Sequence, residues 1–472
     1  MNTLYRGGAE IIGRLASLAL FAEAGRIVGA SGLGAYVFAY AFLAFVMLPV
    51  DLGLDRYLLR AGARDKEAGD ELFVNVLSLK LLTALVLFTV AFLGLHLGGY
   101  SHIGQKMVWA LAPGVLADSI ARTQLARFLT YERGGPPALI DAIQRIASAV
   151  LGIVALQAGL GVISVGVAYS AGSLIGVAIG FARLARTVGL PRAQVGYRKM
   201  RSLAASGLPF ATQDVFVSLL ARVDTLMLSL IAGQVVVGRY GAAYRLFEST
   251  LFATYAIAGA FAPMYTYLGL DSHPPLRAAY QRSVKLALVS LTPLAVVFTV
   301  LGAPIARLIY GSSFSPAGVP LSILGPGVVL ISVVTLTNSL MLSRESPGVM
   351  VRLTAAMVGV NIVLNLILIP PYGGGGAAAA MLATELIYAA LITRMATRVV
   401  GGVEWLATTA GTIAAGTGMV AATLLLRANL WPALLAGTGV YLALLVIVER
   451  IVSPLDTEFA ARMVRNRLRA IR

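Results

Sequence analysis

The sequence predicts an all-α, polytopic membrane protein of about fourteen transmembrane helices: two six-helix lobes as parallel repeats, then two C-terminal helices. Three observations lead there. First, 58% of the 472 residues are hydrophobic and only 12% charged, with a mean hydropathy of +0.85. A soluble domain carries about 25% charged residues, so most of this exterior must meet lipid. Second, apolar runs of spanning length recur along the chain, with basic residues gathered between alternate runs. Third, one seven-residue pattern occurs once in each half.

About 20 apolar residues cross a hydrocarbon core about 30 Å thick. By that measure the spans cover, in order, residues 8–31, 36–58, 72–97, 105–129, 137–159, 162–185, 203–231, 236–268, 282–310, 317–342, 347–370, 376–398, 404–426 and 430–452. The runs at 8–31 and 105–129 carry several charges each. Ala22-Glu23-Ala24 has the small-x-small form of a signal-peptide cleavage site. Glu10 in the leader and Glu23 at the junction argue instead for a retained first span. Trp109, Trp405 and Trp431 fall near span ends, where indole rings anchor at the interface.

Charge placement tests the count. With the amino terminus inside, 27 of the 37 basic residues fall on the cytoplasmic side and 4 (Lys106, Arg239, Arg307, Arg427) outside. A bias that alternates loop by loop follows the positive-inside rule. It places both termini in the cytoplasm and the protein in the cytoplasmic (inner) membrane. The net charge of +16 therefore marks orientation, not nucleic-acid binding, and the aromatic-interleaved basic stretches of a nucleic-acid groove are absent.

Gly34-Ala35-Tyr36-Val37-Phe38-Ala39-Tyr40 and Gly238-Arg239-Tyr240-Gly241-Ala242-Ala243-Tyr244 both read G-x-Y-x-x-A-Y, and Glu10 falls on Asp214 at the same offset. Six spans intervene, so both halves enter the membrane from the same side and form parallel repeats. The chain accordingly divides into an N-lobe (1–185), a basic cytoplasmic linker (186–202), a C-lobe (203–400), two further spans (401–452) and a basic cytoplasmic tail (453–472).

Several chemistries are excluded. With no cysteine there are no disulfides, iron–sulfur clusters or thiolate metal sites. His96, His102 and His273 lie far apart and read as interfacial polar residues. The Gly373–Gly376 run lacks the Lys-Ser/Thr of a phosphate loop and reads as a flexible outer loop entering a small-residue helix. No cofactor is implied.

Local patterns carry a family resemblance over about residues 5–400. They are Gly25-Arg26-Ile27-Val28-Gly29, then Gly34, Tyr36 and Asp51-Leu52-Gly53-Leu54. Mid-chain come Arg222-Val223-Asp224-Thr225-Leu226-Met227, Val237-Gly238-Arg239-Tyr240 and Tyr244-Arg245-Leu246. Ile309-Tyr310-Gly311 with Phe314, Asn361, Asn365, Ile369-Pro370-Pro371-Tyr372-Gly373 and Gly376-Ala377-Ala378-Ala379 complete the series. In order and spacing they resemble the polysaccharide-transport (Wzx-type) flippases of the multidrug/oligosaccharidyl-lipid/polysaccharide exporter superfamily. The resemblance implies a transporter, not an enzyme. It implies alternating access around a central cavity and a polyprenyl-pyrophosphate-linked oligosaccharide as substrate, for cell-surface polysaccharide assembly. The implied surroundings are membrane lipids. The chain is read as a monomer, with polysaccharide assembly proteins as candidate partners.

Charges inside spans cost roughly 2.5–3.5 kcal/mol each on insertion scales, so each needs a reason. The basic ones are Arg14, Arg26, Lys80, Arg145, Arg222 and Arg245. An anionic headgroup calls for cations, and a guanidinium grips phosphate oxygens in pairs. Candidate substrate-binding residues are thus Arg14, Lys80, Arg145, Arg222 and Arg245. The competing reading is neutralisation along one helix: Glu10/Arg14, Asp118/Arg122 and Asp141/Arg145 are spaced i,i+4, Glu23/Arg26 and Arg245/Glu248 i,i+3. Lys80 has no acid within four positions, and Asp224 lies two positions from Arg222, on the other side of a helix. Asp214 and Glu385 have no base within four positions, and burial disfavours their charged form. With Glu248 they are candidates for coupling to H⁺ or Na⁺. Asp214, Ser218, Arg222 and Thr225 form one polar stripe on a helical wheel.

Two alternatives stay within the superfamily, a peptidoglycan lipid-precursor flippase and a multidrug antiporter. Outside it stands a membrane-embedded polysaccharide polymerase or ligase, which needs a larger outer loop than this chain offers.

Overall fold

The computed structural model describes residues 2–131, 135–189, 195–268, 273–344 and 347–452. Arg133, Arg192, part of the 186–202 connection and the 453–472 tail lie outside the described residues. The described chain is helical, with no strand: α1 (Asn2–Asp51), α2 (Leu54–Arg64), α3 (Lys66–Leu97), α4 (His102–Thr130), α5 (Gly135–Gln157), α6 (Ile163–Thr187), α7 (Tyr197–Ile231), α8 (Gln234–Tyr267) and α9 (His273–Tyr310). A 3-10 turn (Ser312–Ala317) follows, then α10 (Gly318–Leu324), α11 (Gly327–Leu342), α12 (Pro347–Val399), α13 (Trp405–Leu425) and α14 (Leu430–Val452).

The sequence-predicted spans find helices, though the breaks are not all where loops were expected, and the run at 36–58 is divided between α1 and α2 at Leu52–Gly53. α1 and α12 each hold two spans, separated by glycines in left-handed backbone: Gly29 (φ 68°) and Gly373 (φ 53°). The run at 317–342 is not continuous. It bends by 43° between α10 and α11, where Gly325 and Pro326 interrupt it. Among the described residues eight helices are long and apolar enough to cross a membrane, nine if that bent pair is one span. α4, α7 and α8 have spanning length but are more polar, carrying Asp118, Arg122 and Arg127; Asp214, Arg222 and Asp224; Arg239, Arg245 and Glu248.

Two compact units emerge. The first comprises Met1–Ala242, Ile309–Ser313 and Val351–Gly374; the second comprises Ala243–Leu308, Phe314–Met350 and Gly375–Arg472. In the first, Phe38, Leu43 and Met47 of α1 share a buried cluster with Met107, Val108 and Leu111 of α4. In the second, Val296 of α9, Ala415 and Met419 of α13 and Tyr441 of α14 form a core. There the Tyr441 hydroxyl donates to the Val289 carbonyl (2.8 Å), and Lys285 meets Glu449 at 2.5 Å.

The repeated motif has a structural meaning within the first unit. A Cβ on Gly34 would collide with the Gln234 carbonyl, and one on Gly238 with the Ala30 carbonyl. Residue 30 corresponds to 234 and residue 34 to 238 at the repeat offset, so α1 and α8 cross reciprocally, backbone on backbone. Small residues at such crossings let helices approach closely, and the reciprocity is that of a two-fold contact. Other family-like patterns tie down the same unit. Arg26 donates to the Ile309 carbonyl (2.8 Å), the Tyr310 hydroxyl to the Ala242 carbonyl (3.1 Å), and buried Asn365 to Asn361 (2.8 Å).

Candidate functional site

The first unit contains a cavity of about 530 Å³ whose wall gathers charged side chains from α1, α2, α4 and α7. Its position follows from a local break in the chain. α1 ends at Asp51, and Leu52 (φ 40°) and Gly53 (φ 65°) turn the backbone before α2 begins. Leu52 is the sole non-glycine residue with positive φ among the described residues, a conformation that costs an L-residue roughly 1–2 kcal/mol. The turn sets Asp51, Asp55 and Arg56 on one rim. One helical turn apart on α4, Asp118 and Arg122 face the same space. Along α7, Asp214, Ser218 and Arg222 supply a third wall. Of the predicted polar stripe only Thr225 is absent from the wall: it is buried, and its hydroxyl donates to Asp224 (3.3 Å).

The charges interlock across helices. Lys80 of α3 is fully buried, and its Nζ lies 2.8 and 2.9 Å from the two Asp55 oxygens and 3.0 Å from Asp51 Oδ1. The Ser119 carbonyl is 3.4 Å away. Arg122 reaches Asp51 Oδ2 at 2.6 Å, and Arg56 reaches Asp214 at the same distance. Hydroxyls complete the shell: Ser119 donates to Asp51 (2.5 Å) and Thr123 to Asp55 (2.7 Å). Asp118 accepts from Gln144 (2.6 Å) and from the Tyr169 hydroxyl. The Arg222 guanidinium stands over the Tyr40 ring, 5.0 Å from its centroid, a cation–π arrangement.

Four carboxylates on the wall thus face three guanidiniums on it, with one ammonium behind. A buried charge is tolerable only when paired and hydrogen-bonded, and stripping one partner from such a pair costs about 3–5 kcal/mol. A wall of matched charges whose guanidiniums stay accessible can bind an anionic group without carrying net positive charge when empty.

The candidates read from the sequence divide into groups. Arg222 and Asp214 line the cavity, whereas Lys80 lies behind its wall. Arg14 pairs with Glu10 (2.8 Å), Arg145 with Asp141 (2.8 Å) and, in the second unit, Arg245 with Glu248 (3.1 Å), each along one helix as spacing suggested. Glu385, also in the second unit, is buried, and its Oε2 has no hydrogen-bond partner among the described residues. Asp118 and Arg122 turn instead to partners on other helices. Sequence reasoning missed Asp51, Asp55, Arg56, Asp118 and Arg122 as cavity residues. The available signal was the Asp51–Arg56 stretch, two acids four apart interrupted by a glycine.

Solved structures match the chain over most of its length. The lipid II flippase MurJ, in an inward closed conformation, aligns with a TM-score of 0.77 at 16% identity, covering 95% of this chain and 98% of that one. An inward-facing multidrug resistance MATE family transporter of the MOP superfamily gives 0.69 at 14% identity, over 84% and 98%. The chain therefore shares the fold of these structures, and its apolar helices of spanning length make it a multi-pass membrane protein. A probable low-salt glycan biosynthesis flippase, Agl15 of Haloferax volcanii, is 22% identical over 349 residues, 74% of this chain and 73% of its own. The polysaccharide biosynthesis protein family model matches residues 1–266, and the chain belongs to that family.

Proposed function

We propose that this chain is a flippase that carries a polyprenyl-pyrophosphate-linked oligosaccharide from the cytoplasmic to the outer leaflet by alternating access, for cell-surface polysaccharide assembly. The observation that carries the reading is the cavity wall on which Arg56, Arg122 and Arg222 are offered from three helices. Guanidinium forks suit phosphate oxygens, and charges kept inside an otherwise apolar helical protein mark a substrate path. Family membership and the relative named as a glycan flippase support the same substrate class. The sugar and pyrophosphate cross within the protein while the polyprenyl tail stays in lipid.

The reading includes both termini in the cytoplasm, the cytoplasmic membrane as location and lobes at 1–185 and 203–400. Arg14, Arg145, Arg222 and Arg245 belong to it as cations serving the substrate, Lys80 as the cation that backs the wall through Asp51 and Asp55, and Asp214, Glu248 and Glu385 as candidates for H⁺ or Na⁺ coupling. A peptidoglycan lipid-precursor flippase is the second reading, favoured by the fold's closeness to the lipid II flippase. Deleting the gene separates the two. The proposal expects a polyprenyl-linked oligosaccharide to accumulate on the cytoplasmic leaflet. Accumulation of lipid II instead moves the assignment to the second reading, and no lipid-linked intermediate at all rejects both.

A further inference from the structure

We propose that the cavity of the first unit is an anion-exchange site: a phosphate or pyrophosphate group takes Arg122 from Asp51 and Arg56 from Asp214, while Lys80 stays behind as the fixed counter-ion of Asp51 and Asp55. This deepens the flippase reading and rests on it only for the source of the phosphate.

The asymmetry between the cations carries the argument. Arg122 and Arg56 are about half exposed (49% and 58%), whereas the Lys80 side chain has no exposure at all. Lys80 is enclosed by Asp51, Asp55 and the Ser119 carbonyl, and it is absent from the cavity wall. Asp51 is held three times, by Arg122, Lys80 and the Ser119 hydroxyl. When Arg122 leaves, Asp51 keeps an ammonium at 3.0 Å, so no bare carboxylate remains in a poorly solvated site. Asp214 is itself 38% exposed and tolerates the loss of Arg56 by hydration. Asp51 ends its helix at the Leu52–Gly53 turn, while an arginine stem is long and rotatable. The guanidinium is therefore the partner that moves. A phosphate dianion carries more charge than a carboxylate and accepts the guanidinium fork in pairs. Arg222, over Tyr40, offers a third cation from the facing helix.

The test uses the full chain in lipid nanodiscs, titrated calorimetrically with inorganic pyrophosphate and, separately, with geranylgeranyl pyrophosphate. Binding by both probes supports a general phosphate site, and binding by the isoprenoid probe alone supports a lipid headgroup site. Binding by neither overturns the proposal. Arg122→Gln should weaken binding at least tenfold. Asp51→Asn should tighten it several-fold, because Arg122 then has no carboxylate to leave. Lys80→Met should weaken it, because Asp51 then depends on Arg122 and retains it. Adding Asp51→Asn to Lys80→Met should restore wild-type affinity or better, a rescue that a purely structural lysine does not predict. If Lys80→Met does not fold, Arg122→Gln and Asp51→Asn carry the test. Wild-type affinity in Arg122→Gln, or weakened affinity in Asp51→Asn, overturns the exchange. If this variant pattern holds but lipid-linked oligosaccharide is not moved, the exchange site stands and the flippase reading falls. If flipping proceeds in the wild type and is unaltered in both variants, the exchange site falls alone.

Discussion

The two units place polar groups inside apolar helical surroundings by different chemistry. In the first, acids and bases from α1, α2, α3, α4 and α7 meet around a cavity, each reaching a partner on another helix. In the second, the buried contacts are largely neutral: Thr254 with Ser332 (2.5 Å), Tyr265 with Ser283 (2.5 Å), Tyr280 with Thr337 (2.8 Å) and Tyr388 with Asn338 (3.1 Å). Hydroxyl pairs are cheaper to bury than ions and hold helices in register. Charge pairs are expensive, so a site that collects them around open space carries a function that neutral pairs cannot supply. Among the described residues the second unit does hold an interhelical ion pair, Lys285–Glu449, which ties α9 to α14. Gly411 of α13 makes room for it, since a Cβ there would strike the Glu449 carboxylate.

That exception gives the sharpest way to break the contrast. Lys80→Met and Glu449→Ala should each destabilise the purified protein by about 3–5 kcal/mol, read by thermal unfolding in detergent. Only Lys80→Met should also alter pyrophosphate binding. A binding defect in Glu449→Ala would erase the distinction between the units. Next in size, Gly34→Leu and Gly238→Leu should each cost about 1–3 kcal/mol by overpacking. Their losses should be similar, because the two glycines occupy reciprocal positions at one crossing. A large cost at one and none at the other would deny the repeat its structural meaning. Smallest, Tyr280→Phe should cost about 1 kcal/mol and leave the transport rate unchanged, since its hydroxyl only pairs with Thr337. A transport defect there would give the neutral interior a part in function.

Much of this fold was legible because its signals are local. A span declares itself within about 20 residues, and the Gly34/Gly238 repeat pointed to a relation that the α1–α8 crossing realises. Pairs along one helix, Glu10–Arg14, Asp141–Arg145 and Arg245–Glu248, were equally visible. The cavity was not. Lys80 looked solitary because its acids lie 25 and 29 positions earlier, and Asp214 because Arg56 belongs to another helix. Arg122 had an apparent partner one turn away in Asp118, yet it turns to Asp51 while Asp118 takes Gln144 and Tyr169. The bend at Gly325–Pro326 was hidden inside an apolar run, although both residues are helix breakers.

The most direct measurement reconstitutes the full chain into proteoliposomes with a fluorescent polyprenyl-pyrophosphate-linked oligosaccharide and follows its appearance in the opposite leaflet. Wild-type protein should move it, while Arg222→Ala and Arg122→Gln, at equal abundance in the bilayer, should slow transfer at least tenfold. Transfer at the wild-type rate by both variants would contradict the account, because the cavity guanidiniums would then have no role in carrying the headgroup.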